Sequence, residues 1–221
     1  PLTGALLGAL VFVALYGVRV LDPTQVDWIL NNASPDPSQH YLGWAFFRRS
    51  AVRLPYIGAN YSVVYPYRTS VLFTDSIPLL ALFFKLLGPV LPARFQYFGW
   101  WGLLCYALQG GLAQAILARL GGVRPGQKAK AWASVAGAGL AVLFPALTIR
   151  MFAHTALAAN WLVLLAVWVW LQSDALLPTA RRACLVWAGL GVLCAGIHLY
   201  YLPMVGIVAV GYAVRCALQK R

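Results

Sequence analysis

Residues 95–118 read FQYFGWWGLLCYALQGGLAQAILA and contain no charged side chain. An α-helix needs about 20 apolar residues to cross the hydrocarbon core of a bilayer, with a lower limit of about 17. This stretch is therefore suited to span a membrane. The rest of the chain has the same character, since 62% of its 221 residues are hydrophobic and only 10% are charged. A single water-soluble core cannot bury that much apolar surface, so the composition predicts a membrane protein.

Six stretches are predicted to cross the membrane, which gives an all-α, polytopic transmembrane helical bundle. The predicted spans are residues 2–20, 95–118, 131–149, 155–172, 183–201 and 202–218. Basic residues gather after the second, fourth and sixth spans, namely Arg119, Arg124, Lys128, Lys130, Arg181, Arg182, Arg215, Lys220 and Arg221. Because Lys and Arg in short loops resist translocation, these connections are predicted to be cytoplasmic. Residues 21–94 then form a long first outward loop.

The basic residues also bear on the partners of the chain. The net charge is +12, but the charges occur in short clusters between apolar runs. That arrangement anchors loops to anionic membrane lipids and is not the continuous basic face of a nucleic-acid-binding protein. Membrane lipids are therefore expected partners, and nucleic acid is not. The chain begins at Pro1 and ends directly after a hydrophobic segment, so it is expected to be part of a longer protein.

Two interfacial helices are predicted inside the outward loop. Asp36 precedes Pro37 and is followed by Gln39, which is the pattern of an N-cap residue with a capping box. Residues 41–49 are first aromatic and then basic, as suits a helix lying at the membrane surface. The second helix is predicted over residues 76–87.

The second interfacial helix admits another interpretation. Residues 70–91 are long enough to span, but Asp75, Pro78, Lys85 and Gly88 interrupt them. The clean helix that remains is too short to cross, so the interfacial position is favoured. If the segment did cross, the preceding part of the loop would lie in the cytoplasm.

Carboxylate chemistry in this chain is limited to five aspartates, because the sequence contains no glutamate. Four of them, Asp22, Asp27, Asp36 and Asp75, belong to the outward loop. His40 follows Asp36 by four residues and would lie over the same helical face, so this pair could share a proton or a divalent cation. Helix capping alone would also explain Asp36 and Asp75, and interfacial hydrogen bonding would explain His40.

Four arginines of the same loop, Arg48, Arg49, Arg53 and Arg68, are candidates for binding a substrate phosphate. They could instead only hold lipid headgroups. His198 lies near the outer end of a predicted span, where snorkelling to the interface accounts for it.

Three stretches carry a resemblance to known enzymes. They are DPSQHYLGW at residues 36–44, FTDSIPLLALFFKLLGP at residues 73–89 and FQYFG at residues 95–99. Together with the order of the elements, they resemble the amino-terminal half of a GT-C superfamily glycosyltransferase. They also resemble a bacterial family of membrane proteins of unknown function that is related to that superfamily.

The resemblance implies a membrane glycosyltransferase of the cell envelope. Such an enzyme transfers a sugar from a polyprenyl-phosphate donor to a glycan, lipid or protein acceptor, on the outer face of the bacterial inner (cytoplasmic) membrane. It implies that Asp36 is the catalytic aspartate. We therefore expect Asp36 to act as general base, His40 or a nearby arginine to orient it, and Asp75 to support the acceptor or a cation. Asp36 is followed by Pro37 and not by a second acid, so no cofactor is certain and a divalent cation is left open. A polytopic transporter or lipid flippase, and a non-catalytic subunit of an envelope assembly, are the alternatives.

Overall fold

The computed structural model describes residues 1–32, 34–64 and 66–219. About 70% of the chain is helical and 3% is in strands, which agrees with the predicted all-α class. The α-helices of the described ranges are α1 (Leu2–Tyr16), α2 (Asp27–Leu30), α3 (Pro35–Arg49), α4 (Pro78–Leu86), α5 (Phe98–Leu120), α6 (Lys128–Val142), α7 (Pro145–Arg150), α8 (Trp161–Leu171), α9 (Ser173–Leu176), α10 (Ala180–Ile197) and α11 (Tyr201–Leu218). Two short strands that the sequence analysis did not predict, β1 (Ala59–Asn60) and β2 (Thr69–Ser70), pair antiparallel.

Within the described part of the chain, four helical segments are long and apolar enough to cross a membrane. They are Phe98–Leu120, Lys128–Arg150, Ala180–Ile197 and Tyr201–Leu218, and each overlaps a predicted span. Two further apolar segments, Leu2–Tyr16 and Thr155–Leu171, have between 10 and 17 residues. These two correspond to the first and fourth predicted spans, whose crossing stays a prediction.

Glycine allows α1 to pack closely against α5. A Cβ added at Gly8 would lie 2.1 Å from the main-chain oxygen of Tyr106, and one added at Gly4 would lie 2.4 Å from that of Gly110. The two helices are antiparallel, since residues further along α1 contact residues earlier in α5. Small residues four positions apart on one face are the usual means of close helix packing in membranes. The main-chain N–H of Gly4 also donates to Oε1 of Gln114, at 2.7 Å.

The outer surface of α10 and α11 is strongly apolar. Only 22% of the α10 segment and 11% of the α11 segment are buried inside the fold. Exposed side chains such as Val192 and Ile207, each 75% accessible, form this surface. Contiguous apolar patches of this kind are rare on soluble monomers, so the surface calls for an apolar solvent or an apolar partner.

A helix forms where the first interfacial helix was predicted, but it begins earlier. α3 starts at Pro35, and its N-cap is Ser34, whose side chain accepts from the main-chain N–H of Asp36 at 3.4 Å. The prediction of Asp36 as the cap was therefore wrong. Ser34 followed by Pro35 repeats the cap-proline pattern two residues upstream, so the helix is two residues longer than predicted at this end. The carboxylate of Asp36 is thereby freed from capping.

The second interfacial helix is shorter than predicted. α4 begins at Pro78, and its N-cap is Ile77, which makes no side-chain hydrogen bond to the helix. Asp75 is therefore not a cap, contrary to the capping interpretation. It lies in a tight turn with φ of 51°, followed closely by Ile77 with φ of 52°. Left-handed backbone is unfavourable for these residue types and above all for a β-branched isoleucine, so the turn is held by its surroundings.

α3 and α4 close each other's carboxyl-terminal ends. Arg48 of α3 donates to the main-chain oxygens of Gly88 and Leu91, each at 2.7 Å, and to that of Pro92 at 2.6 Å. In return, Lys85 of α4 donates to the main-chain oxygen of Ser50 at 2.6 Å and to that of Phe47. Cations at helix ends satisfy carbonyls that have no partner within the helix.

Several helix ends meet the segment between α1 and α5, the predicted outward loop, at one end of the fold. Tyr16, at the end of α1, donates to the main-chain oxygen of Thr148 in α7 at 3.2 Å. Trp101, near the start of α5, donates to that of Thr155 at 2.9 Å. Gln96 donates to that of Val20 at 2.9 Å. The loop therefore packs on the same end of the bundle to which the end of α7 and the start of α8 belong.

Candidate functional site

Asp75 lies between two histidines at this end of the bundle. Its Oδ2 is 3.4 Å from Nε2 of His40, and its Oδ1 is 3.9 Å from Nε2 of His198. The side chain of Asp75 is 14% exposed and that of His40 is 5% exposed. A carboxylate so far from water and so close to two imidazoles is a common arrangement for proton transfer.

The opposite edge of the His40 ring is fixed by a hydroxyl. Nδ1 of His40 lies 3.0 Å from Oγ1 of Thr155, which is fully buried in the turn before α8. If Nε2–H points at the carboxylate of Asp75, Nδ1 accepts from the Thr155 hydroxyl, so one tautomer satisfies both neighbours. The main-chain oxygen of Thr155 accepts from Nε1 of Trp101 at 2.9 Å. α3, α5 and the turn before α8 thus jointly orient the His40 ring.

The strained turn around Asp75 is held by a small hydrogen-bond network. Oγ of Ser76 donates to the main-chain oxygen of His40 at 2.7 Å and lies 2.7 Å from Oγ1 of Thr74. The Tyr97 hydroxyl donates to the main-chain oxygen of Ser76. These contacts tie the segment directly to α3 and to the start of α5. They explain how a left-handed aspartate and isoleucine are kept in place.

Two further residues with ionisable side chains, His154 and Asp36, influence the pair. His154 lies in the turn after α7, close enough to alter the ionisation of both His40 and Asp75, and Asp36 acts on both from α3. The backbone two residues before His154 is also left-handed, since Phe152 has φ of 65°. All three histidines of the chain therefore belong to this one site.

Burial displaces both ionisation equilibria. Burial raises the pKa of Asp75 to about 6, against the opposing effects of His154 and the main-chain N–H of Ala156, and Asp36 adds to the rise. Burial lowers the pKa of His40 to about 4. At neutral pH, His40 is therefore uncharged while Asp75 is mostly ionised. Oδ1 of Asp75 is buried and has no hydrogen-bond partner among the described residues.

A divalent cation was left open by the sequence. Among the residues that the structure describes, no group of three or more His, Cys, Asp and Glu side chains could hold a metal ion. Asp36 and His40 do not form the shared pair considered from the sequence, because the close partner of His40 is Asp75.

The predicted phosphate-binding arginines do not converge on the site. Arg48 is bound to the three carbonyls near the end of α4, and Arg49 follows it on α3. Arg53 lies over the ring of Tyr61, and Arg68 over that of Tyr56. Since α3 rises about 1.5 Å per residue, Arg49 is about 13 Å from His40 along the helix axis. A role for the four arginines in binding the donor stays a prediction.

His198, Thr155 and His154 were not recognised as site residues from the sequence. His198 was explained by snorkelling, yet it faces Asp75. One signal was available, since each residue lies at a predicted outer end of a span. The distances between them depend on how the helices pack, which no local pattern reports.

These features define a helical protein with membrane-length apolar segments and a buried His–Asp–His site at one end. The chain belongs to the family described as domain of unknown function DUF6311, whose sequence model matches residues 5–221. No curated protein and no solved structure matches the chain significantly.

Proposed function

We propose that this chain is a polytopic membrane glycosyltransferase module of the bacterial inner membrane, with Asp75 as its general base. The single observation behind the proposal is the Asp75 carboxylate, held in a strained turn between His40 and His198. Strained backbone and displaced pKa values tend to occur together at active sites. The exposed apolar surface of α10 and α11 supports the membrane location.

Asp75 is better suited than Asp36 to act as the base. A general base works best when its pKa lies near the operating pH, and burial brings that of Asp75 to about 6. Asp36 forms no ion pair with either histidine among the described residues, and it acts on Asp75 and His40 through its charge. The catalytic role first expected of Asp36 is accordingly transferred to Asp75, with Asp36 as a residue that tunes the pair.

The proposed reaction is the transfer of a glycosyl group to a hydroxyl. Asp75 accepts the proton of the acceptor hydroxyl on its carboxylate, and the acceptor oxygen forms a bond to the anomeric carbon. The bond between that carbon and the donor phosphate oxygen breaks, and the phosphate leaves with the electron pair. Neutral His40, held by Thr155, keeps the carboxylate oriented during the transfer. The donor class, a polyprenyl-phosphate sugar, rests on the sequence resemblance.

A transporter or flippase is less well supported. Such proteins place their polar groups and broken helices near the bilayer midplane. Here the titratable cluster lies at the helix ends, beneath the outward loop.

The test uses the whole chain in phospholipid nanodiscs with a panel of radiolabelled polyprenyl-phosphate sugars. Wild type is expected to release the sugar to an acceptor or to water, and Asp75→Asn is expected to lose that activity while folding normally. If wild type and Asp75→Asn turn over no member of the panel, or turn it over equally, the proposal is wrong.

A further inference from the structure

Two grooves flank the carboxyl-terminal end of α3. The larger has a volume of about 720 Å³, and apolar side chains including Val52, Leu82 and Leu86 line it. The smaller, of about 260 Å³, runs along Tyr41 and Arg94. The two grooves share Arg48, Arg49 and Ala93. Two guanidinium groups, those of Arg48 and Arg49, therefore lie between the two grooves.

The charged side chains that line the two grooves are all basic. Lys85 also lines the larger groove, and no acidic side chain lines either groove among the described residues. The guanidinium groups of Arg94, Arg49 and Arg48 are all close enough to Tyr41 to oppose the effect of burial on its pKa. Such a cluster attracts an anion that has several acceptor oxygens.

The arginines differ in whether their guanidinium groups already have partners within the protein. Arg48 is held by its three carbonyl acceptors. Arg49 is exposed, and it makes no hydrogen bond or ion pair with any described residue. Arg94 pairs with Asp27 at 3.0 Å, but both side chains are about 60% exposed, at 61% and 59%. Exposed pairs of this kind contribute little, so Arg94 can change partner at small cost.

We infer that this pair of grooves binds one anionic phospholipid of the surrounding bilayer, with its phosphate between Arg49 and Arg94 and an acyl chain in the larger groove. The basic side chains favour an anionic headgroup. The apolar side chains of the larger groove favour a phosphate that carries an acyl chain over free phosphate. The bound lipid would hold α3 and α4 against the membrane surface, where both interfacial helices are expected to lie.

This lipid is distinct from the glycosyl donor. A phosphate that leaves in the transfer must lie within a few ångströms of the reacting atoms. Arg49 is about 13 Å along the α3 axis from His40, which contacts Asp75. The inference concerns binding only, so it does not depend on the proposed transfer activity.

The test measures binding of phosphatidylglycerol to the whole purified chain by native mass spectrometry, against phosphatidylcholine and glycerol phosphate. Wild type is expected to bind phosphatidylglycerol at least tenfold more tightly than phosphatidylcholine and to show no binding of glycerol phosphate. Arg49→Gln should weaken phosphatidylglycerol binding about tenfold, since it removes a charge-assisted contact. Leu86→Asn, which leaves the charge unchanged, should weaken it severalfold.

The matched control is Arg53→Gln, because Arg53 lies over Tyr61 and lines neither groove. It should bind phosphatidylglycerol as wild type does. Equal affinity for the two phospholipids, or equal losses in Arg49→Gln and Arg53→Gln, would overturn the inference. Glycerol phosphate binding as tight as that of phosphatidylglycerol would also overturn it, because the grooves would then be a free-phosphate site.

Discussion

Gly43 lies directly against Thr74: a Cβ added to the glycine would come within 2.4 Å of the Thr74 Cβ and 2.8 Å of Oγ of Ser76. The turn that contains Asp75 therefore packs against α3 at Gly43, which has no side chain and lies one helical turn after His40. No real Cβ tolerates such a separation, so either the turn or the helix must shift if a side chain is added there. The position of Asp75 depends on this contact as much as on its hydrogen bonds.

Gly43→Ala is expected to displace Asp75 from His40. Because catalytic geometry is sensitive to shifts of about 1 Å, transferase activity should fall on the order of a hundredfold with the helical fold retained. Activity and circular dichroism of the purified protein check this. Gly58→Ala is the control, since its added Cβ would meet only ordinary contacts of 3.5 and 3.6 Å. Equal activity in the two variants would contradict the expected role of Gly43.

Asp75→Asn and Asp36→Asn are expected to lower transferase activity by different amounts, because Asp75 is the proposed base and Asp36 only shifts its pKa. Loss of the base should cost about a hundredfold or more in turnover. Asp36→Asn should cost less than about tenfold and should move the acid limb of the pH–rate profile to lower pH, because the Asp36 charge raises the pKa of Asp75. Rate profiles between pH 5 and pH 8 measure both effects. The reverse order of losses would make Asp36 the base.

The pH dependence of stability should differ in sign between two variants. Asp75 ionises less readily in the folded state, so its contribution to stability falls as pH rises from about 4 to about 6. His40 is protonated less readily when folded, so its contribution falls as pH drops from about 6.5 to about 4. In wild type the two effects oppose each other.

Substituting either residue removes its own effect on stability and leaves that of the other. His40→Gln leaves only that of Asp75, so its Tm should decrease as pH rises from about 4 to about 6. Asp75→Asn leaves only that of His40, so its Tm should increase over the same range. Thermal unfolding in detergent at a series of pH values provides the measurement. Parallel slopes in the two variants would exclude the displaced ionisation of at least one group.

Arg48→Ala is expected to destabilise the pair of interfacial helices. The change removes three charge-assisted hydrogen bonds to the carbonyls near the end of α4, and the expected loss is about 1 to 3 kcal/mol. Arg53→Ala, which removes only a contact over the Tyr61 ring, should cost less than about 1 kcal/mol. Denaturant or thermal unfolding compares the two. A larger loss in Arg53→Ala would contradict the role assigned to Arg48.

The orientation in the membrane can be tested by labelling single cysteines in a variant lacking the four native ones. Tyr67 is 75% exposed, and Gln127 lies in the exposed connection between α5 and α6. A cysteine at position 67 should react with an impermeant thiol reagent in intact cells, and one at position 127 should react only after lysis, because the basic residues around it favour the cytoplasm. The opposite pattern would invert the proposed topology.

The sequence by itself determined where the helices form. The four long segments overlap predicted spans, and a helix follows Ser34 much as the turn residues there indicate. Such features depend on hydropathy and capping over a few consecutive residues, which are local properties of the chain. Even so, both Ser34-Pro35 and Asp36-Pro37 match the pattern of a helix start, and α3 begins at the first of them.

Only the tertiary structure decided what the polar residues do. Asp75 carries a cap signal in the sequence, yet packing of α3, the start of α5 and the end of α10 forces it into a left-handed turn beside His40 and His198. Arg48 similarly carries the signature of a phosphate ligand, and the structure shows it bound to the carbonyls near the end of α4. These roles arise from contacts between residues more than 30 positions apart, whose distances follow from the packing of whole helices and not from any local pattern.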